Sequence, residues 1–425
     1  MDRKRFSFEG LARPAMTIFT AAVLGGFLNY LFQSYMGRSL GPDEYSELAA
    51  MLSVFYMLTI PSTLIGTTVL FYVSKLRTEE RDGEIAWLMR RNLRLCLLVG
   101  LVMAVAMLVL SPFLLQFLDI EGTTLVALLA AGAFLLMLGT PVYSTTQALQ
   151  RFRHLAAYEV LNPLFKLTIG ILLVALGWSV AGAFAAVLIG TVLAFLWLYW
   201  GLKDYWGRER KPFATKGMAA YAVPVAVSTI SFMIITNIDN LLARGFLEPT
   251  DAGLYSACSM LGKIVLWMPL AISTVTFPRF TGAGVKGQST KPLIHKSILI
   301  TGAITGAITL FCFLFPEFVL GLTFGDEFLD AADLLPVVIL AFSLFGMATM
   351  FQRYGLATGK WFFIVIYSSF TVLGVGLILA FHDTAMQIAL GMLVTSAGIC
   401  IASFLYLELK LKEEGARISS ERVDG

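Results

Sequence analysis

Four basic side chains, Arg38, Lys166, Arg244 and Lys263, and two acidic ones, Glu159 and Asp239, lie in or against stretches of chain that are otherwise apolar. An ionisable group at the centre of a membrane helix costs about 2.5–3.5 kcal/mol on insertion scales, so such groups face a cavity or a partner and mark functional positions. Asp239 stands between Asn237 and Asn240, and Asn237, Asn240 and Arg244 share a helical face by their i, i+3, i+7 spacing. Asn29 and Gln33 form an i, i+4 polar pair that runs up to Arg38. Glu159, Asn162 and Lys166 repeat the i, i+3, i+7 pattern, which would let Glu159 partly neutralise Lys166. Lys263 has Ser259 and Gly262 beside it. A cavity lined by such cations suits an anionic phosphate or pyrophosphate headgroup, with Asp239 and Glu159 as the carboxylates that could couple to an ion. A plainer reading stays open for Arg38 and Arg244 as snorkelling anchors, and for Arg151 and Arg153 as ordinary cytoplasmic charges rather than an entrance. The run Gly355–Lys360 lacks the spacing and the terminal hydroxyl residue of a phosphate-binding loop, which argues against direct ATP drive. His154, His295 and His382 are scattered and form no metal set, so no metal and no cofactor are expected, and no nucleic-acid partner.

The elements that carry these residues follow from hydropathy and charge. With 58% hydrophobic and 14% charged residues and a mean hydropathy of +0.79, the chain belongs to the polytopic membrane class. Twelve apolar stretches, near 13–36, 48–74, 95–117, 123–147, 157–177, 180–200, 218–243, 252–277, 297–316, 334–352, 362–381 and 385–406, are each about the ~20 residues that a span requires. Of the 31 lysines and arginines, 27 fall at the N-terminus, in alternate gaps and in the tail, leaving Arg38, Arg244, Lys166 and Lys263 as the exceptions. The positive-inside rule then puts both termini in the cytoplasm and the chain in the cell membrane. The N-terminus reads as an uncleaved start, and four cysteines in apolar stretches argue against a disulfide framework.

The chain also repeats itself. Gly37–Ser46 resembles Ala243–Gly253 with one residue inserted, at an offset of 207 that carries Pro42 onto Pro249 and returns where Arg153 meets Lys360. The expected organisation is an all-α protein of 12 transmembrane helices in two parallel-repeat six-helix lobes around a central cavity. The lobes are expected at 1–205 and 217–410, with a cytoplasmic linker at 206–216 and a cytoplasmic tail at 411–425. Gly25–Gly26, Pro61, Pro141, Pro163, Pro224 and Pro269 are the expected sites of helix bending.

Three segments carry a family resemblance: Met36–Tyr45, then Asp239–Arg244 with Asp251–Ser256, and Gln150–Arg153 leading through Asn162–Lys166. In these the chain resembles the polysaccharide transporter, or O-antigen flippase, branch of the multidrug/oligosaccharidyl-lipid/polysaccharide exporter superfamily. It departs from that pattern at Ser46, where glycine is usual, although Gly253 keeps it in the second repeat. The resemblance implies alternating-access flipping of a polyprenyl-(pyro)phosphate-linked oligosaccharide from the cytoplasmic to the outer leaflet, with no enzymatic activity. Related lipid-flipping members hold the pyrophosphate with cationic residues in the cavity, which agrees with the substrate contacts expected here from Arg38, Lys166, Arg244, Lys263, Asn29, Gln33 and Asn237. Membrane lipids and a glycan polymerase or glycosyltransferases are the other partners expected. The rivals are a drug/cation antiporter of the same superfamily, a membrane glycosyltransferase using Asp43 and Glu44, and a channel-like subunit of a synthase complex.

Overall fold

In a bilayer every backbone N–H and C=O must be bonded within the segment, so apolar stretches of this length fold as helices. The computed structural model describes residues 8–120, 123–209, 211–213, 222–285 and 291–423, with the side chains of 8–15, 222–225, 267–268, 270–285 and 412–423 left out. Arg3, Lys4, Arg5, Arg210, Lys216 and Lys286, part of the expected linker 206–216 and the side chains of the expected tail lie outside the described residues.

The chain divides into two compact units, Met1–Ala226 and Val227–Gly425. The helices run α1 (Phe8–Met57), α2 (Thr59–Thr78), α3 (Asp82–Val109), α4 (Ser111–Phe117), α5 (Thr124–Ala148), α6 (Phe152–Ala175), α7 (Ser179–Gly201) and α8 (Lys203–Trp206). They continue as α9 (Ala222–Ile235), α10 (Ile238–Phe246), α11 (Pro249–Val285), α12 (Lys291–Leu314), α13 (Pro316–Thr323), α14 (Leu335–Thr358), α15 (Phe362–Ala380) and α16 (Ala385–Val423). No strand occurs among the described residues. Ten helical segments there are long and apolar enough to cross a membrane; one of them, Met16–Thr78, is 63 residues long and holds the first two expected stretches. The eighth expected stretch falls on α11, which has 37 residues. The protein is therefore a multi-pass all-α membrane protein.

The same helices pair in each unit. In the first, α1 packs on α6 and α7, α5 on α2, α3 and α7, and α6 on α7. In the second, α10 packs on α15 and α16, α14 on α11, α12 and α16, and α15 on α16. A short helix opening on proline follows the third span of each unit, α4 in one and α13 in the other. The turns after α5 and α14 match as well. Gln150 (φ 54°) and Gly359 (φ 72°) are left-handed, and the next N–H, of Arg151 or Lys360, returns to the carbonyl of Thr146 or Gly355. That geometry pairs Lys360 with Arg151, two residues from the Arg153 match that identity alone suggests.

Two of the bends have causes that can be named. Gly41, at φ 70° and ψ 174°, leaves the helical region and breaks α1 into two helices, in a conformation that costs glycine little. Pro61 lacks the N–H that would bond to the Met57 carbonyl, and α1 gives way to α2 there. The seventh span behaves differently from the expectation at Pro224, which sits within α9. The break comes at Thr236–Asn237, between α9 and α10. Asn237 has left the helical region (φ −135°), and its N–H bonds to the Ile234 carbonyl. Its side-chain Nδ2 donates to the Met233 carbonyl at 2.9 Å, the acceptor that the backbone of an unbroken helix would have served.

Candidate functional site

Each unit holds one lysine inside its apolar body. Lys166, on α6, is 4% exposed. Its Nζ donates to Asn29 Oδ1 on α1 and lies 4.4 Å from the centre of the Phe32 ring, a cation–π contact one turn beyond Asn29. Asn29 Nδ2 donates in turn to the Gly25 carbonyl at 3.1 Å, so the lysine is aimed by a side chain that is itself held. Gly25 permits this approach, because a Cβ there would run into the Glu159 carbonyl of α6. Likewise Gly190 of α7 lies against the backbone of Lys166.

The expected partnership of Glu159 with Lys166 does not form. Seven residues of helix hold the two groups apart, and each finds a partner on a different neighbour: Glu159 Oε1 accepts from Tyr143 on α5 at 3.1 Å. Asn162 donates to Thr191 of α7 at 3.3 Å. Among the described residues no carboxylate lies within 4.0 Å of Lys166. Gln33, one turn beyond Asn29, buries its Oε1 without a hydrogen bond among the described residues. Phe32 and Tyr143 were not legible as site residues, because aromatic side chains at helical spacing read as packing.

In the second unit the break at Asn237 starts α10 and sets Asp239 in its first turn. Asp239 is fully buried, and its Oδ2 accepts from Ser259 at 2.5 Å and from Tyr255 at 3.4 Å, both on α11. Lys263 Nζ lies 3.7 Å from Oδ1, with its side chain 24% exposed. Tyr255, Ser259 and Lys263 are spaced i, i+4, i+8 and so share the face of α11 turned to the carboxylate, a pattern readable in sequence for a reader who knew that Asp239 lay opposite. Asp239 Oδ1 and Asn240 Oδ1 have no hydrogen-bond donor among the described residues. The ammonium therefore neutralises Asp239 without satisfying it, and keeps free N–H groups for another acceptor.

The remaining expected positions separate. Arg38 is exposed near the bend at Gly41, whereas Arg244 on α10 is 8% exposed. Arg153 is exposed. Arg151 is engaged in the first unit: it donates to the Gly201 carbonyl at the end of α7, pairs with Asp204 at 2.5 Å, and lies over the Tyr205 ring. Those bonds to Arg151 hold the Asp204 carboxyl below the usual carboxylate range. Glu44 accepts from Ser179 at the start of α7, which ties the first bend to another helix. No group of three metal-ligating side chains occurs among the described residues.

Residues 11–283 match the family described as polysaccharide biosynthesis protein. An uncharacterized membrane protein of Methanocaldococcus jannaschii is 20% identical over 94% of this chain and 99% of its own length. Among solved structures, an inward-facing multidrug resistance MATE family transporter of the MOP superfamily is similar over 93% of this chain and 99% of that one, at 17% identity and a TM-score of 0.81. An outward-facing structure of such a transporter matches over 94% and 96%, at 18% identity and a TM-score of 0.68. A MOP superfamily transporter from Pyrococcus furiosus, described as having a binding pocket of reverse polarity, matches over 95% of this chain and 96% of that one at 18% identity and a TM-score of 0.65. At these identities the structural likeness establishes the fold, which is that of MOP superfamily transporters.

Proposed function

Because this chain belongs to the polysaccharide biosynthesis protein family, we propose that it flips a polyprenyl-(pyro)phosphate-linked oligosaccharide from the cytoplasmic to the outer leaflet of the cell membrane, by alternating access of its two units and without enzymatic chemistry. The observation that carries this reading is a pair of lysines within apolar helices, Lys166 buried and Lys263 partly so. Among the described residues Lys166 has no carboxylate within 4.0 Å, and Lys263 is only partly engaged by Asp239. A drug cation would be repelled by both, whereas a phosphate can take either as counterion. Asn29, Gln33 and Asn237 supply polar groups beside them for sugar or phosphate oxygens. Arg38 and Arg244 continue the same stripes, and Arg153 stands toward the cytoplasmic side, where the positive-inside pattern also places both termini. Asp239 is the carboxylate best placed to respond to the substrate, since a phosphate that takes Lys263 removes its counterion. Glu159, held by Tyr143, is the second candidate.

Purified protein in proteoliposomes, supplied with a fluorescent polyprenyl-linked oligosaccharide, tests the reading. Flipping should occur in the wild type and fall at least tenfold in Lys166→Met and Lys263→Met. Efflux of a cationic dye instead of the lipid-linked sugar would favour the antiporter. Full flipping by both variants would remove the phosphate-binding role of the lysines.

A further inference from the structure

The second unit closes one end of its helices on a small apolar cluster. Ile294 of α12 and Leu407 of α16 meet Phe351 and Tyr354 of α14 and Phe363 of α15, all buried. At the rim of this cluster the next residues of α12 and α16 face each other, with His295 Nε2 2.6 Å from Glu408 Oε1. The other ring nitrogen, Nδ1, lies 2.8 Å from the Lys291 carbonyl, one turn back along α12. The side chains of His295 and Glu408 are 38% and 28% exposed, so water reaches the pair.

A neutral imidazole has one N–H and one lone pair, yet both ring nitrogens of His295 face an oxygen. The Lys291 carbonyl can only accept, so Nδ1 must donate to it. The contact between Nε2 and Oε1 then needs a proton of its own, carried by the ring or by the carboxyl. In either arrangement the pair holds one proton more than a neutral histidine beside an ionised glutamate. When that proton leaves to solvent, a nitrogen lone pair faces either the carboxylate or the carbonyl, and one hydrogen bond is lost. The other ionisable side chains at this end of the packed helices are Lys291 and Lys296 on α12, Lys410 and Tyr406 on α16, and Tyr354 and Lys360 at the end of α14. The start of α15 brings Phe362 and Phe363, and the side chains of 270–285 on α11 lie outside the described residues. Among the described residues Glu408 is the one carboxylate within 4.0 Å of the ring.

We propose that His295 and Glu408 form a proton-dependent clamp, which ties the start of the third span to the end of the sixth in the second unit while the extra proton is held, and slackens when it is lost. The corresponding junction of the first unit is built from other residues. Asp82, at the start of α3, accepts from Tyr205 on α8 at 2.9 Å and pairs with Arg208 just beyond that helix. Arginine and aspartate side chains ordinarily keep their charges between about pH 5.5 and 8.5, whereas histidine is the side chain that ordinarily changes charge in that range. One unit therefore keeps its tie across that range, and the other loosens as the solution on that side turns alkaline. The clamp stands independently of the proposed cargo.

The test is a double-mutant cycle on the purified full-length protein in a non-ionic detergent, with no lipid-linked sugar present, so that it reads the clamp and not transport. Wild type, His295→Gln, Glu408→Gln and the double variant are each unfolded by denaturant at about pH 5.5 and about pH 8.5, the two sides of the histidine range. In acid the two residues should be coupled by about fivefold in the folded-to-unfolded ratio, the upper end for a partly exposed ion pair. In alkali the coupling should fall below about twofold. A parallel cycle of Asp82→Asn with Arg208→Gln should give the same coupling at both values. The proposal is overturned if His295 and Glu408 are uncoupled in acid, if their coupling is as large in alkali, or if the Asp82–Arg208 cycle weakens to the same extent. Should a histidine variant fail to fold, the stability gap between wild type and Glu408→Gln decides alone. It should narrow as the pH rises, and a gap that stays constant or widens removes the clamp.

Discussion

The ion pair between Asp239 and Lys263 gives the sharpest quantitative test. At the observed 3.7 Å, two unit charges attract by about 4.5 kcal/mol at an effective dielectric constant near 20 and by about 1 kcal/mol in water. The 24% exposure of Lys263 puts the site between those limits, while Asp239 is sealed. Lys263→Met leaves a buried carboxylate supported by Ser259 and Tyr255 alone, and should destabilise the protein by roughly 2–3 kcal/mol. Asp239→Asn keeps an oxygen for the Ser259 hydroxyl and leaves a lysine that can still reach water, so its cost should be about 1 kcal/mol. The double variant has neither charge and should lie within ~1 kcal/mol of the wild type, a coupling of about 2 kcal/mol or a 30-fold change in the folded-to-unfolded ratio. Denaturant titration of the four proteins in one detergent measures this cycle. Single effects that simply add, with coupling below about 0.5 kcal/mol, would refute the idea that the two charges hold each other. Flipping supplies the second half of the test: Asp239→Asn should restore the stability of Lys263→Met but not its transport. Recovered transport in the double variant would mean that the ammonium serves Asp239 and not the substrate.

Other substitutions test neighbouring claims. Lys166→Met removes a buried ammonium that has no ion-pair partner among the described residues, so melting should stay level or rise while flipping falls; a marked loss of stability would show that the Asn29 and Phe32 contacts outweigh its desolvation. Gly25→Ala, which drives a methyl into the Glu159 carbonyl, should destabilise by about 1–3 kcal/mol in the overpacking range, whereas Gly26→Ala meets nothing within 4 Å and should be almost silent. Asp204 is held low by Arg151, so its contribution is complete above the unfolded carboxylate pKa and is lost as pH falls through the lower folded one. The stability gap between the wild type and Asp204→Asn should therefore be largest at neutral pH, close in acid and shrink with salt, because the carboxylate is 44% exposed. A gap that persists unchanged in acid would show that packing, not charge, holds that turn.

What could be read in advance divides along a physical line. Spans are local: hydropathy over a window was enough to bring the expected stretches, where their residues are described, into helical segments. The internal repeat was legible where Pro42 and Pro249 follow comparable bends, and slipped by two residues at Arg151 because left-handed turns, not identities, set the match there. Partnerships were another matter. Spacing along α6 placed Glu159 and Lys166 on one face, but could not reveal that Tyr143 and Asn29 would come from other helices to take them. The break in the seventh span escaped because it lies away from Pro224 and depends on a side-chain amide replacing a backbone donor. The likeness of Arg38 to Arg244 also misled, since one proved exposed and the other buried.

The matched pairing of helices in the two units has a consequence for how selectivity is encoded. Both units assemble by the same six pairings, yet the lysine of one sits on its fifth span and that of the other on its second. The architecture has thus been copied while the charge has been relocated, so the instructions for assembly and those for cargo are written in different residues. Moving a lysine to the twin position in the opposite unit, with its lone acceptor supplied beside it, becomes a route to altering what is carried without redrawing the body that carries it.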